Sequence, residues 1–235
     1  MVYNWLKNSP SALFPPTCVL CGAPGLRDMD LCPGCHADLP VNRHACVRCA
    51  KPLPAQAPSG SLCGACQRRP PPFDACFAPY LYDGVLPHLV TGLKFHDRMN
   101  LARLLGRLLL SALRRRETVA PPVLMPVPLH PVRLRERGFN QALEIAREPA
   151  SALGMAIDRR SLTRVLATEP QTGLDASARR RNLRGAFAVG GALPGRRVAV
   201  LDDVVTTGST VAELTRVLKL AGAEQVEVWA VARTP

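Results

Sequence analysis

Nine cysteines lie before residue 77 and none after it. Eight of them form four Cys-x-x-Cys pairs: Cys18/Cys21, Cys32/Cys35, Cys46/Cys49 and Cys63/Cys66. This pattern constrains the fold more than any other feature. A Cys-x-x-Cys turn lets two thiolates reach one ion, and two such turns make the tetrahedral sulfur set that Zn2+ takes in structural sites. Ten residues separate the first two pairs and thirteen the last two, which are zinc-module spacings. A single pair would equally suit a thioredoxin-like redox site. Four in succession point to two Zn2+. Sequential ligand sets are the simplest, and the spacing also permits a crossed arrangement. His36 and His44 stand near cysteines and read as exposed neighbours, with ligation the less favoured alternative. Cys76, left unpaired, reads as a small buried apolar residue rather than a reactive thiol. Large apolar residues are few between positions 18 and 70, so bound metal is expected to supply folding energy there.

The stiff, basic run Arg68-Arg69-Pro70-Pro71-Pro72 reads as a boundary. It divides an N-terminal segment with a double zinc ribbon (1–72) from a second domain (73–235). With 235 residues, 47% of them hydrophobic, the chain has material for a real core beside the zinc module. Thirty basic against 18 acidic residues give a formal charge of +12, which favours anionic partners. Eight thiolates and two Zn2+ would reduce this to about +8. Residues 81–235 hold 23 basic and 14 acidic residues, against seven and four before them, so the basicity belongs to the second domain. Aromatic residues make up only 5%, a poor supply for stacking nucleic-acid bases. No apolar stretch is long enough for a membrane span. The opening Met-Val-Tyr-Asn-Trp-Leu-Lys lacks the organisation of a secretory signal, so a cytoplasmic protein with reduced thiols is expected.

The second domain carries an α/β pattern. Leu101, Leu104, Leu105, Leu108, Leu109 and Leu113 recur at helical spacing, followed by Arg114-Arg115-Arg116. The preferred reading is a core-facing helix with a solvated basic end, against a basic membrane-surface helix. Val123–Val127 reads as a buried strand, and 140–147 as a helix that Pro149 ends. Val198–Leu201 reads as a strand covered on both faces. A helix carrying Val211, Leu214, Leu218 and Ala221 follows, closed by Gly222, and Val226–Ala232 reads as a further strand. Strand, loop, helix and strand make a right-handed parallel βαβ unit.

Ligands of open α/β sheets bind at the carboxyl ends of the strands. Asp202-Asp203-Val204-Val205-Thr206-Thr207-Gly208-Ser209-Thr210 is expected there, in the loop after Leu201. Its second half is rich in hydroxyls and leads into a helix N-terminus, whose free N–H groups and positive dipole end suit a phosphate. Two carboxylates would repel a phosphate placed on them, but they suit ribose hydroxyls or hydrated Mg2+. The segment therefore looks built for a ribose 5-phosphate. Neither G-x-x-x-x-G-K-[ST] nor G-x-G-x-x-G occurs, which argues against an ordinary P-loop or dinucleotide enzyme.

The stretch Val200–Thr210 resembles the phosphoribosyl pyrophosphate (PRPP) loop of type I phosphoribosyltransferases. The wider chain, from Cys18 to Thr234, resembles the ComF-like competence proteins, which join a double zinc ribbon to such a domain. Pro126–Leu129, Arg135–Gln141, Gln171–Leu174 and Arg181–Phe187 carry the likeness further. The resemblance implies that Asp202 and Asp203 hold the ribose hydroxyls of PRPP, and Thr206, Thr207, Gly208, Ser209 and Thr210 its 5-phosphate. It sets the loop after strand Val123–Val127 near the pyrophosphate, with Arg133, Arg135 and Arg137 as candidate contacts, of which not all three need point inward. Asn140 and Gln141 read equally as a cap and packing for the next helix, and His130 as structural or phosphate-binding rather than catalytic. Gln171–Arg184 would be a closing loop, its Arg179-Arg180-Arg181 run either meeting an anion or lying solvated. The implied reaction displaces pyrophosphate from ribose C1 with Mg2+ present. Single-stranded DNA and competence proteins are the further implied partners. Pro149 departs from the family pattern, in which the helix would continue.

Overall fold

The computed structural model describes residues 15–95, 98–166 and 183–235. They form two compact units, divided between Pro40 and Val41. The division at residue 72 marks where the cysteines give way to the α/β pattern. Compactness follows a different line and groups the second cysteine ribbon with the α/β region.

The two ribbons repeat one local design. In the first, Cys18 donates its N–H to Ala23 and accepts from Gly22, and Thr17 bridges Pro24. In the second, Cys46 donates to Lys51 and accepts from Ala50, and Ala45 bridges Pro52. Both turns close through a left-handed residue, Gly22 at φ +76° and Ala50 at φ +55°. Each second Cys-x-x-Cys pair sits on a single helical turn, α1 (Pro33–Ala37) or α2 (Gly64–Arg68).

The α/β region follows in the order β1 (Ala75–Phe77), β2 (Tyr80–Leu81), α3 (Leu86–Phe95), α4 (Asn100–Leu113), β3 (Val123–Pro126), α5 (Pro131–Arg137), α6 (Gln141–Leu153), β4 (Ala156–Ile157), β5 (Leu162–Arg164), β6 (Phe187–Val189), β7 (Arg197–Val205), α7 (Ser209–Leu220) and β8 (Gln225–Arg233). The main sheet runs β1-β8-β7-β3-β4, with β2 also on β8, and every pairing in it is parallel. β5 and β6 form a separate antiparallel pair. In β3 all four residues are buried, and in β8 eight of nine, as expected for parallel strands covered on both faces.

Four sequence expectations are corrected. First, β7 does not stop at Leu201. It stays paired with β8 from Arg197 opposite Gln225 to Val205 opposite Arg233, so Asp202 and Asp203 lie on the strand and the loop starts at Thr206. Second, α6 continues through Pro149 to Leu153. Proline removes the N–H that would bond the Ile145 carbonyl. That carbonyl instead lies against Gly106 of α4, where an added Cβ would stand only 2.7 Å from the oxygen. Third, the basic end of α4 is not wholly solvated. Arg116 donates to Glu227 Oε2 at 3.1 Å from both Nη atoms and lies over the Phe77 ring. Fourth, the segment after β3 is a helix, α5, rather than a loop. The leucines of α4 are buried as expected, and no helix among the described residues is long and apolar enough to cross a membrane.

The second ribbon is knitted to the start of the sheet. Arg48 donates to the carbonyls of Asp74 and Pro71, Cys76 donates to Val47, and Asn42 donates to Pro79 and Ala78. Cys76 is buried on β1, as read from the sequence, and burial pushes its thiol up to about 12.

Candidate functional site: two cysteine tetrads and an acidic strand end

Cys18, Cys21, Cys32 and Cys35 converge in one unit, and Cys46, Cys49, Cys63 and Cys66 in the other. The pairing is sequential, and neither His36 nor His44 joins a tetrad. Within each set the sulfurs all lie within 4.8 Å of one another. Cys21 and Cys32 approach to 3.6 Å, as do Cys49 and Cys63. Tetrahedral Zn–S bonds of about 2.3 Å require sulfurs about 3.8 Å apart, so both sets fit the ion. The donor chemistry agrees. The Cys35 thiol is pushed up to about 12 by the sulfurs of Cys32, Cys21 and Cys18. Four thiols this close shed their protons together only around a cation.

The second candidate site lies at the carboxyl edge of the main sheet. The strand end brings Asp202 and Asp203 out between β3 and β8, and the turn Thr206–Gly208 leads into α7. Gly208, at φ +80°, caps the helix in a conformation glycine adopts without strain. Thr207 Oγ1 lies 2.9 Å from Ser209 Oγ and accepts the Ser209 N–H. A shallow concavity is lined by Asp202, Thr206, Gly208, Ser209 and Thr210. It faces the first turn of α7, whose N–H groups have no partner within the helix.

The two carboxylates are unequal. Asp202 Oδ1 accepts the Asp203 N–H at 2.9 Å. Burial and the neighbouring Asp203 carboxylate push Asp202 well above the ordinary carboxylate range. Burial acts on Asp203 in the same sense, but the Lys94 ammonium and hydrogen bonds from Asp202 and the Val204 backbone together outweigh it and hold Asp203 below that range. Lys94 Nζ is ion-paired with Asp203 Oδ2. Helix α3 buries Leu86, Leu89, Val90 and Leu93, and Lys94 follows four residues after Val90 on the same side. Its stem runs along the core and its charge ends at the acidic pair.

Arg133 and Arg137, four residues apart, share one face of α5, while Arg135 is exposed. Arg137 donates to Gln141 Oε1 at 2.7 Å. Burial lowers its pKa while the charge of Asp203 opposes that shift. Arg164 of β5 lies over the Phe187 ring. Burial and then Arg133 lower its pKa, and Asp202 opposes them. Arg137 thus lies in the field of Asp203 and Arg164 in that of Asp202, and Arg133 acts on both arginines. Asn140 caps α6, accepting from Ala142 and Leu143, and donates to the Val127 carbonyl beyond β3. His130 caps α5 by accepting the Val132 N–H. A larger cleft of about 420 Å³ adjoins through Arg164, with walls from Pro126, Leu134, Phe139, Leu143 and Leu162. Arg159, Asn140 and Thr163 also line it, but it lacks an acidic pair beside a hydroxyl-rich helix N-terminus, so the strand end and its turn are the stronger candidate.

Sequence reasoning missed Lys94, Arg164 and Arg233. The sequence signal for Lys94 was a cation at core spacing after four buried positions. Arg233 Nη1 donates to the carbonyls of Val205, Thr206 and Thr234, and its Nε donates to Cys49 O at 3.0 Å. An arginine closing an apolar strand was its only trace in the sequence. The expected closing loop, Gln171–Arg184, lies outside the described residues except for its last two positions.

Residues 10–67 match the double zinc ribbon domain family. The DNA utilization protein YhgH of Salmonella typhimurium is 39% identical over 225 residues, covering 94% of this chain and 98% of that protein. Competence protein F of Haemophilus influenzae is 34% identical over 210 residues, covering 86% and 90%. A purine phosphoribosyltransferase from Pyrococcus horikoshii aligns at 17% identity over 55% of this chain and 80% of its own, with a TM-score of 0.33.

Proposed function

The chain belongs to the family of DNA utilization protein YhgH and competence protein F, and from that premise we propose that its second unit binds PRPP and transfers the phosphoribosyl group to an acceptor. One observation carries the reading. An acidic pair, a hydroxyl-rich helix N-terminus and two basic elements converge at the carboxyl edge of a parallel sheet. Asp202 and Asp203 accept hydrogen bonds from the ribose hydroxyls. The turn Thr206–Thr210 and the N-terminus of α7 hold the 5-phosphate. Arg133, Arg137 and Arg164 face the pyrophosphate, whose charge grows as the bond to ribose C1 breaks and the acceptor bonds to that carbon. Arginine forks match phosphate oxygens. Two carboxylates, one already ion-paired, are too few for a protein-built Mg2+ cage. A bound Mg2+ would take most of its ligands from PRPP and water, and would neutralise leaving-group charge.

Calorimetry with PRPP and Mg2+ tests the reading. The zinc-loaded protein is expected to bind, and the Asp202→Asn, Asp203→Asn double variant to lose at least about tenfold in affinity. No binding by the unmodified chain overturns it.

The charge of the second domain and the names of the relatives favour a second reading, a non-catalytic PRPP-binding or nucleotide-binding protein that handles single-stranded DNA. That binding should weaken steeply between about 50 and 200 mM salt. A salt-independent or undetectable signal removes this reading.

A further inference from the structure

The pairing of Lys94 with Asp203 has no part in the phosphate chemistry described above, yet it is the closest charge contact in the acidic pair. The Lys94 side chain is 25% exposed and that of Asp203 only 5%. A carboxylate so enclosed needs a partner to stay ionised. Asp202 Oδ1 accepts the Asp203 N–H, and the Asp202 carboxyl shares a hydrogen bond with that of Asp203, but the cation beside Asp203 is Lys94. Lys94 also lies within the field of Asp202 and Tyr82. It comes from α3, which supplies no other candidate ligand contact.

We propose that Lys94 is a positioning residue for sugar recognition. Resting on the PRPP reading above, it fixes the Asp203 carboxylate ionised and oriented so that the carboxylate accepts from a ribose hydroxyl. Lys94 then governs selection of the ribose diol, while the turn Thr206–Thr210 governs the phosphate. The two duties are separable because they come from different elements. The ammonium stays with Asp203 when ligand enters, and it is not a counter-ion that ligand must expel.

The experiment uses the full-length, zinc-loaded protein and two probes, ribose 5-phosphate and 2,3-dideoxyribose 5-phosphate, titrated by calorimetry without metal. The unmodified protein is expected to prefer the diol by about tenfold or more, as for a hydrogen bond to a charged acceptor. Lys94→Met should abolish that preference while leaving the dideoxy affinity close to that of the unmodified protein, with the melting temperature lowered by the loss of the ion pair. Lys94→Arg keeps a cation beside Asp203 and should retain most of the preference. If the unmodified protein binds neither probe, the PRPP reading falls and this inference with it. If it prefers the diol and Lys94→Met prefers it equally, the inference falls alone. Tighter diol binding by Lys94→Met also overturns it, because Lys94 would then be a competitor for Asp203. Loss of both probes by Lys94→Met and Lys94→Arg alike would make the role merely structural and overturn it too.

Discussion

One carboxylate fastens the start of β8. Asp74 Oδ2 accepts both the Val226 N–H at 2.8 Å and Lys219 Nζ at 2.7 Å, and the Asp74 N–H returns to the Val226 carbonyl. Burial works to raise the pKa of this carboxyl, but the Lys219 ammonium and the Val226 amide hold it below its usual value. A depressed folded-state pKa contributes stability that is complete above the unfolded-state value, about 3.9, and lost as pH falls through the folded one. Asp74→Asn is therefore expected to cost about 1 kcal/mol at pH 7, discounted for the exposure of the pair. The gap in thermal midpoint between variant and parent should close in acid below about pH 4. A gap that persists unchanged there would mean that packing, not charge, carries the effect. The same scale shows what sequence conveys poorly. Eight cysteines announced both tetrads, because metal ligation demands one residue type at one spacing. Lys94 and Arg233 gave no comparable signal, since each acts through a partner distant in the chain, Asp203 or Cys49.

Helices α4 and α6 cross where Gly106 meets the Ile145 carbonyl. Gly106→Ala would set a methyl group 2.7 Å from that oxygen and 3.1 Å from Glu148 Cβ, with backbone on one side that yields little. The expected cost is about 1–3 kcal/mol, read from denaturant unfolding. Gly190→Ala meets nothing within 4 Å and serves as the neutral control. Equal effects for the two substitutions would show that chain entropy, not the crossing, sets the response. The same crossing explains why α6 runs on past Pro149. Reading the segment alone, proline ends a helix. The element continues because the carbonyl that Pro149 orphans is covered by a helix some forty residues earlier in the chain. The leucine stripe of α4 and the apolar strands were legible because burial on one or both faces imposes a period. The extension of β7 through Asp202 and Asp203 was not, since acidic residues oppose strand propensity and only the partner β8 holds them there.

Across the second unit, one side chain spans the distance between a cysteine ribbon and the candidate ligand turn. Arg233 is 2% exposed, and its guanidinium binds the Cys49 carbonyl on one side and the Val205 and Thr206 carbonyls on the other. Cys49 is a member of the second tetrad, so the position of its carbonyl depends on the ribbon being folded around its ion. Thr206 opens the turn that would hold the 5-phosphate, so the turn inherits its position from the same guanidinium. Loss of order in the second ribbon should therefore reach the turn through Arg233. Cys63→Ser removes a sulfur ligand of the second tetrad and leaves Arg233 in place, and Arg233→Met removes the link and leaves all four sulfurs in place. Each is expected to weaken ribose 5-phosphate binding by about tenfold, as for lost hydrogen bonds to a charged group. Because both break one chain of contacts, the double variant should lose little more than either single one. Calorimetry on the four proteins completes the cycle. Additive losses, or full affinity in Cys63→Ser with its zinc content halved, would show that the ribbon and the turn are energetically independent and that Arg233 only packs between them.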